Sequence, residues 1–318
     1  MPHPLAPGNP VPLPKTRIIL DTDIGDDIDD AFALNFALNS PEIDIIGITT
    51  VYRNAHKRAG ICAAILESLG KSGIPIHAGI DLPLQAAVRS RENDLYDHDG
   101  LYIPCQFIEP TMEASPHEQA AVEFLIDTIR ANPDTITIVP IGPLTNIASA
   151  LLAAPDIAGK IKEIVLMGGS FSDTRAEWNI LCDPEAADIV FSSGVRVIKA
   201  VGLDVTMLCQ LEHHLVQQLR SRPSAGCKLL TQLIDRWQAH YQRDRIVLHD
   251  ALTIAALVNP MSIEFSPSTI KVGLIEPTRG VTLKVSTQES ARSEPVLVAT
   301  KVDAPGFLQV FQERVFTN

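Results

Sequence analysis

Six of the ten residues from Asp21 to Asp30 are aspartates, and this is the most unusual stretch of the chain. It follows a short apolar run and precedes a helical pattern, so it is predicted to lie where a strand ends and a helix begins. Carboxylates this close repel one another unless a positive charge lies among them. A hard divalent cation such as Ca²⁺, with several oxygen ligands at ~2.3–2.6 Å, meets that need. A solvated acidic turn at a helix N-terminus is the alternative; Gly25 and the preceding strand favour the metal site.

Three further polar features follow predicted strands or begin a helix. Asn54 follows the second predicted strand, Glu177 and Asn179 follow the glycine-rich end of a later one, and His249-Asp250 opens a late helix. Amides and carboxylates at strand ends suit a ligand rich in hydroxyl groups. Each of these features, taken alone, also has an ordinary structural explanation, since Asp is a common N-cap and His is a common surface residue.

Apolar runs alternate with helical stretches through the first two thirds of the chain. This pattern predicts an α/β, Rossmann-like fold with a doubly wound, mostly parallel sheet that is covered on both faces. The predicted strands are 17–21, 43–51, 74–78, 135–141, 161–167 and 195–202, and the predicted helices are 29–39, 55–69, 116–131, 144–153 and 184–193. Ser115-Pro116-His117-Glu118 resembles a capped helix start. Ligands of such sheets bind beyond the carboxyl ends of the strands.

After about residue 210 the pattern changes to helices and then short strands. We predict helices at 215–219, 229–241 and 251–258, strands at 269–274, 281–286 and 295–300, and a final helix at 305–315. This part is predicted to place a helical cap near the C-terminal third. Residues 1–15 are predicted to form a flexible proline-rich tail, and residues 16–318 a single domain.

The amino-acid composition argues against some classes of binding partner. A net charge of −12 argues against nucleic acid as a partner, because binding a polyphosphate needs an excess of Lys and Arg. No run of ~18 apolar residues is present, so no membrane span is predicted. The five cysteines are scattered without metal-ligand spacing, which favours reduced, buried thiols and a cytoplasmic location.

A set of ordered motifs resembles the inosine-uridine nucleoside hydrolase family and spans nearly the whole chain after its tail. The family opens with a strand followed by Asp-x-Asp-Pro-Gly-x-Asp-Asp-Ala, which here reads Asp21-Thr22-Asp23-Ile24-Gly25 and then Asp29-Asp30-Ala31. The other matches are Ile48-Thr49-Thr50-Val51 with Asn54, Ile141-Gly142-Pro143-Leu144-Thr145-Asn146, Met167-Gly168-Gly169, Glu177-x-Asn179, Asp183-Pro184-Glu185-Ala186-Ala187 and His249-Asp250.

The resemblance implies a calcium-dependent hydrolase of ribonucleosides that forms a homodimer or homotetramer. Calcium would be bound by the side chains of Asp23, Asp30 and Asp250 and by the backbone carbonyl of Ile141. The ribose hydroxyls would be bound by a second set of residues, namely Asp29, Asn54, Glu177 and Asn179. His249 would stand near the leaving base.

This chain also departs from the family pattern. Two additional residues lie between Gly25 and Asp29, which makes Asp26 and Asp27 further candidates for the metal site. A ribose-binding asparagine of the family is missing before Glu177. A base-contacting histidine of pyrimidine-preferring members aligns with Tyr96, and His98 lies two positions later. Candidates for contact with the base are therefore Tyr96, His98, Trp237, His240 and Tyr241.

The predicted reaction passes through an oxocarbenium-like sugar, as in glycosidases. Asp23 is the predicted base that takes the proton of the attacking water, and His249 the predicted donor to the departing base. Two other functions remain open at this point. Asp21-x-Asp23 after a strand resembles magnesium-dependent phosphohydrolases of the haloacid dehalogenase type, although Gly25 departs from that pattern. A nucleoside- or sugar-binding protein without turnover is the second, and nicotinamide riboside is an alternative substrate within the main hypothesis.

Overall fold

A computed structural model describes residues 15–85, 87–91, 93–113, 115–286 and 294–316 of the chain. Its strands are β1 (Thr16–Thr22), β2 (Ile43–Thr50), β3 (Ile76–Ala78), β4 (Leu95–Tyr96), β5 (Tyr102–Ile103), β6 (Ile136–Pro140), β7 (Glu163–Met167), β8 (Ile198–Val201), β9 (Gln210–Leu211), β10 (Ile246–Val247), β11 (Ile263–Ser268), β12 (Ile270–Val272), β13 (Thr282–Lys284) and β14 (Val296–Val302). Eight of them form one sheet in the order β11-β14-β8-β7-β6-β1-β2-β3. Every neighbouring pair in this sheet is parallel except β11 with β14. The prediction of a mostly parallel α/β sheet is confirmed.

Helices cover both faces of the sheet. They are α1 (Asp29–Leu38), α2 (Ala55–Ser68), α3 (Ala121–Ala131), α4 (Thr145–Ala153), α5 (Trp178–Cys182), α6 (Pro184–Phe191), α7 (Leu203–Thr206), α8 (His213–Arg220), α9 (Ala225–Tyr241), α10 (His249–Val258) and α11 (Ala304–Val315), with 3₁₀ turns at Pro155–Lys160 and Pro260–Ser262. Residues of β1 divide between two apolar cores: Ile18 and Leu20 pack with α1, α2, α9, α10 and α11, whereas Ile19 packs with α3, α4 and α6. Burial on both faces explains why the strand is almost continuously apolar.

The chain winds outward in two directions from the centre of the sheet. β1 lies between β2 and β6; β2 and β3 continue toward one edge, and β6, β7 and β8 continue toward the other. The connections after β1 and β6 therefore leave on opposite sides, which opens a crevice at the carboxyl ends of these two strands. The aspartate-rich stretch after β1 faces this crevice across from Ile141, the residue after β6.

One local prediction is wrong, and several elements, mostly short, were not predicted. The helix expected from residue 116 begins at Ala121, because the preceding segment runs beside β3, where the His117 amide donates to the carbonyl of Ile76 at 2.8 Å. Strand β11 was not predicted; it contains Pro267, which is tolerated because β11 is the edge of the sheet.

The remaining expectations concern the ends of the chain and the membrane. The predicted tail over 1–15 lies outside the described residues except for Lys15. Among the residues that are described, no helix is both long and apolar enough to cross a membrane.

Candidate active site

Three buried carboxylates meet at the mouth of the crevice. Asp29 and Asp30 lie in the first turn of α1, and Asp250 lies in the first turn of α10, which packs directly against α1. Each offers one oxygen, and the three oxygens lie within 4.8 Å of one another. The Asp250 backbone amide donates to Oδ2 of Asp29 at 3.3 Å, and the Thr22 hydroxyl donates to Oδ1 of Asp30 at 2.5 Å. The prediction grouped Asp30 and Asp250 with Asp23; in the structure Asp29 completes the closest group.

The electrostatics of this three-carboxylate cluster are unfavourable without a cation. Burial, and then the charges of neighbouring aspartates, raise the pKa of Asp29, Asp30 and Asp250 well above the usual value. In the described part of the chain no Lys or Arg forms an ion pair with any of the three. Converging hard oxygen ligands that lack a counter-charge fit a divalent cation of the calcium or magnesium type.

Asp23 lies beside this cluster, at the end of β1, and is 6% exposed. Burial raises its pKa to about 7, although Arg58 opposes the shift. Gly142 makes room for it: a Cβ on Gly142 would lie 2.7 Å from Oδ1 of Asp23. Gly25, at φ +118°, turns the chain from β1 toward α1 in a backbone conformation that other residues rarely adopt.

A cavity of about 220 Å³ contains the cluster and most of the predicted site residues. Its lining includes the predicted residues Asp23, Asp26, Asp27, Asp29, Asp30, Ile141, Glu177, Asn179, His249 and Asp250, together with Arg91, Met167, Ala176, Trp178 and Leu203. Residues from the ends of β1, β6 and β7 and from the starts of α1, α5 and α10 therefore converge on one cavity, as the strand-end rule predicts.

Glu177 and Asn179 are held rigidly at the start of α5. The Glu177 carboxylate caps the helix by accepting from the amides of Asn179 at 2.8 Å and Ile180 at 3.1 Å, and it also accepts from the amide of Gly169 at 3.1 Å. Nδ2 of Asn179 donates to the carbonyl of Ile141 at 2.8 Å. A carbonyl oxygen has two lone pairs, so this bond leaves Ile141 one acceptor position for a further ligand.

His249 lines the cavity at the N-terminus of α10. Its Nδ1 lies 2.7 Å from the hydroxyl of Thr206, which orients the ring. Burial lowers the pKa of His249 below the ordinary value, although Asp27 opposes the shift.

Asp26 and Asp27, the two residues of the insertion, differ in their surroundings. Asp26 forms a buried ion pair with Arg58 (Oδ2 to Nη2, 2.9 Å) and accepts a hydrogen bond from the Tyr102 hydroxyl. Burial alone would raise the pKa of Asp26, but Arg58 and Tyr102 outweigh it, and the pKa lies below the usual value. Asp27 uses Oδ1 to accept from the amide of Ile28 at 2.8 Å. Asp26 is thus already neutralised by an arginine and lies outside the three-carboxylate cluster.

The carboxylate of Asp21 is used in hydrogen bonds within the protein interior, which argues against the phosphohydrolase hypothesis. It is fully buried, and its Oδ1 accepts from the hydroxyl of Thr49 at 2.5 Å and from Nδ2 of Asn146 at 2.8 Å. Nδ2 of Asn146 also donates to the carbonyl of Thr50, and its Oδ1 accepts from the amide of Ile80. An aspartyl-phosphate enzyme needs this first aspartate in the cavity as nucleophile, whereas Asp21 does not line it.

Several predicted ligand-binding residues do not line the cavity. Asn54 caps α2 by accepting from the Lys57 amide at 3.1 Å, and its Nδ2 donates to the carbonyl of Tyr102 at 2.8 Å. Tyr96 is 53% exposed on β4, and the His98 side chain is 90% exposed beside Asp99.

The three candidates on α9 also lie outside the cavity lining. Trp237 is buried in the apolar core that covers α1, and His240 packs edge-on against the ring of Tyr241. Tyr241 approaches the cavity only through Arg91, whose Nη1 donates to its hydroxyl at 3.1 Å.

Two lining residues were missed as contacts for a ligand. The Arg91 guanidinium lies 4.1 Å from the centre of the Trp178 ring. Trp178 stands between two predicted residues, Glu177 and Asn179, and its position in that motif was a usable signal. Arg91 lies in an irregular polar stretch with no motif, so nothing in the sequence distinguished it.

Comparison with known proteins identifies the family. The sequence profile described as "Inosine-uridine preferring nucleoside hydrolase" matches residues 18–309. A probable uridine nucleosidase 2 from Arabidopsis thaliana is 34% identical over 96% of this chain and 98% of its own length. Among solved structures, a plant nucleoside hydrolase matches with a TM-score of 0.84 at 31% identity, covering 96% of this chain and 100% of that one.

A purine-preferring ribonucleoside hydrolase from Gardnerella vaginalis matches with a TM-score of 0.79, also at 31% identity, over 94% of this chain and 98% of that one. The uridine nucleosidase and the purine-preferring hydrolase differ in the base named in their descriptions, and all three relatives are described as cleaving nucleosides. Because the profile covers most of the chain and its motifs converge on one cavity, the chain belongs to the inosine-uridine preferring nucleoside hydrolase family and is an N-glycosyl hydrolase.

Proposed function

We propose that this hydrolase cleaves ribonucleosides to free base and ribose with the help of Ca²⁺ and with Asp23 as the base. The observation that carries the proposal is the buried cluster of Asp29, Asp30 and Asp250, which lacks a counter-charge and lies beside Asp23 in the same cavity. A cluster of this kind stays folded at neutral pH only if its charge is neutralised.

The residues that would hold the ion are Asp23, Asp30, Asp250 and the carbonyl of Ile141. When bound, a divalent cation supplies positive charge that acidifies a nearby water and orients vicinal hydroxyl groups. All four ligands are oxygen atoms, which suits calcium better than zinc or copper.

Asp23 is the proposed base. The attacking water loses a proton as its oxygen bonds to the anomeric carbon, and a carboxylate at the end of β1 is placed to accept it. Without a cation, burial raises its pKa to about 7. A cation held at the site would lower that pKa, so that the carboxylate would be ionised at neutral pH, as a general base must be.

Asp29, Glu177 and Asn179 are proposed to position the ribose. The capping contacts of Glu177 and the bond from Asn179 to Ile141 hold these side chains before substrate arrives. Preorganised carboxylates also stabilise the positive charge that develops on the sugar. Asn54 stays a proposed ribose ligand, and its present bond to the Tyr102 carbonyl would have to be exchanged for one to the sugar.

His249 is proposed to act on the leaving base. Its lowered pKa makes the imidazole neutral at pH 7. In the tautomer in which Nδ1 accepts from the Thr206 hydroxyl, the Nε2–H is left to donate to the base. Tyr96, His98, Trp237, His240 and Tyr241 remain proposed base contacts, of which Tyr241 is connected to the cavity through Arg91.

We further propose a cytoplasmic homodimer or homotetramer. All five cysteines are buried and none forms a disulfide bond, which is consistent with a reducing compartment. Light scattering coupled to size exclusion would test the oligomer, and a stable monomer at micromolar concentration would refute it.

The test of function is a substrate panel of inosine, adenosine, uridine, cytidine and nicotinamide riboside. Release of reducing sugar is measured with Ca²⁺ and with EDTA. We expect release from at least one nucleoside, lost in EDTA and restored by Ca²⁺. Tight nucleoside binding without release would favour the non-catalytic binding protein. Hydrolysis of p-nitrophenyl phosphate with Mg²⁺ would favour the phosphohydrolase.

A further inference from the structure

Among the described residues, Arg91 is the one Lys or Arg that lines this acidic cavity. Seven carboxylates of the described residues line the same space, from Asp23, Asp26, Asp27, Asp29, Asp30, Glu177 and Asp250. Two other arginines near the site are neutralised: Arg53 by Asp94 at 2.5 Å and Arg58 by Asp26 at 2.9 Å. Within the described residues no carboxylate lies within ion-pair distance of the Arg91 guanidinium.

The side chain of Arg91 is nevertheless fixed in place. Its guanidinium stacks on the ring of Trp178 at 4.1 Å, and its Nη1 donates to the Tyr241 hydroxyl at 3.1 Å. A guanidinium has five N–H donors, and this bond uses one of them. An oriented cation with unused donors beside a cavity is suited to receive negative charge from a ligand.

The position of Arg91 indicates which part of the substrate it faces. The cluster of Asp29, Asp30 and Asp250 with Glu177 forms the part of the cavity proposed for the sugar, where positive charge develops. Arg91 lies beside Trp178, an aromatic ring in the cavity lining that suits a planar base, and is held from behind by Tyr241, which lies outside the lining. A phosphate group fits this cavity less well, because the seven carboxylates repel a dianion.

We propose that Arg91 binds the leaving base and stabilises the negative charge that forms on it as the glycosidic bond breaks. This inference rests on the proposed nucleoside hydrolysis and adds a residue that controls it. When the C1′–N bond breaks, the electron pair remains on the base nitrogen and spreads to the carbonyl oxygens of the ring. The water oxygen bonds to C1′ and gives one proton to Asp23, while the base takes one proton from His249, which regains it from solvent.

Arg91 acts in this step by charge and hydrogen bonding and keeps its own protons. Burial alone would lower its pKa, but Tyr241, Asp26 and Asp27 outweigh this, and the pKa lies above the usual value. Tyr241 and Trp178 are positioning residues, since they hold the plane of the guanidinium.

The test compares leaving groups of different intrinsic stability. Wild type, Arg91→Met and Arg91→Lys are assayed with uridine, inosine and p-nitrophenyl β-D-riboside, whose leaving p-nitrophenolate is a more stable anion than those of uracil and hypoxanthine. Arg243→Met is the matched control: Arg243 is exposed and lies 5.7 Å from the Tyr241 ring, against 5.6 Å for Arg91, but does not line the cavity.

We expect Arg91→Met to lower kcat/KM for uridine and inosine about 10²–10³-fold, as for loss of one preorganised electrostatic contact, and to lower it for p-nitrophenyl riboside less than about 10-fold. Arg91→Lys keeps the charge but loses the planar stacking, so it should fall between wild type and Arg91→Met. Arg243→Met should match wild type with all three substrates.

Three results would overturn the inference. An equal loss with all three substrates would mean that Arg91 is only structural, and no loss would mean that it does not touch the base. Faster hydrolysis of uridine 5′-monophosphate than of uridine by wild type would assign Arg91 to a phosphate. Wild type that releases no base from any nucleoside would instead refute the proposed function, and the inference about Arg91 would fall with it.

Discussion

The substitution Asp250→Asn should make the metal-free protein more stable while removing its response to calcium. At 4.8 Å, the separation that bounds the three-carboxylate cluster, two like charges repel by about 3–4 kcal/mol at an effective dielectric constant of ~20. Asp250 takes part in two such pairs. The carboxylates relieve part of this repulsion by binding protons, as their raised pKa values indicate. We therefore expect a gain of about 2–3 kcal/mol at pH 7.5, or roughly 4–6 °C in Tm for a domain of this size.

The assay is thermal unfolding of both proteins in EDTA and in excess Ca²⁺. In EDTA the variant should melt above wild type. In Ca²⁺ at ~1,000 times Kd, wild type should gain about 4 kcal/mol, roughly 8 °C, and melt above the variant, which should gain nothing. The order of the two melting temperatures thus reverses with calcium, a result that a merely damaging substitution does not produce.

Asp183→Asn provides a matched control at a second fully buried aspartate. Its carboxylate lies outside the cluster and accepts from the Thr145 hydroxyl at 2.7 Å, the Leu84 amide at 2.9 Å and the Ala186 amide at 3.1 Å. The amide loses an acceptor, so this variant should be destabilised by about 1–2 kcal/mol in both buffers and keep the calcium response of wild type. If Asp250→Asn melts below wild type in EDTA, the cluster is not repulsive; if it keeps the calcium shift, Asp250 is not a ligand.

Three other outcomes are expected. Burial raises the pKa of Asp21 to about 6 and of Asp23 to about 7. The folded state therefore binds extra protons, and the metal-free protein should be more stable at pH 5 than at pH 8 when measured by urea unfolding in EDTA. Asp21 alone contributes about 3 kcal/mol below the ordinary Asp pKa of about 4; this is lost as pH rises from about 4 to about 6, so about 1.4 kcal/mol of it separates pH 5 from pH 8. Asp23→Ala should abolish sugar release from every nucleoside while His249→Ala lowers it unequally for purines and pyrimidines, and wild-type turnover in Asp23→Ala would remove Asp23 as the base. Arg58→Met should cost about 3–5 kcal/mol by leaving Asp26 buried without its partner, and a loss below about 1 kcal/mol in urea unfolding would show that Asp26 is solvated or protonated.

The alternation of apolar runs and helical patterns was enough to predict the sheet and the position of its cavity. β1, β6 and β7 are apolar because they are buried on both faces, and this signal is strong in one sequence. β11 gave a weak signal, since an edge strand tolerates Pro267 and exposed residues. The start of α3 was misplaced because a good local capping pattern was overridden by a tertiary contact between His117 and Ile76.

The residues that line the cavity also divide into those that the sequence pattern predicts and those that it does not. Aspartates on either side of Gly25 and the His249-Asp250 pair were identified because their spacing from strand and helix ends places them in the crevice. Arg91 was missed because its place beside Trp178 depends on how an irregular segment folds back, which no local pattern records. Tyr96 was chosen by alignment alone, and its ring is 53% exposed.

One amide side chain, that of Asn146, ties the ends of β1 and β2 to the segment after β3 through Asp21, Thr50 and Ile80. The strand ends at the floor of the crevice are therefore held together by hydrogen bonds, and a shift of any one of the three would break bonds to the others. Adaptation to a new base must then be confined to the walls, where single side chains can be exchanged independently. The residues that carry out the reaction therefore lie on the rigid strand ends, whereas the residues that select the base lie where substitutions are tolerated.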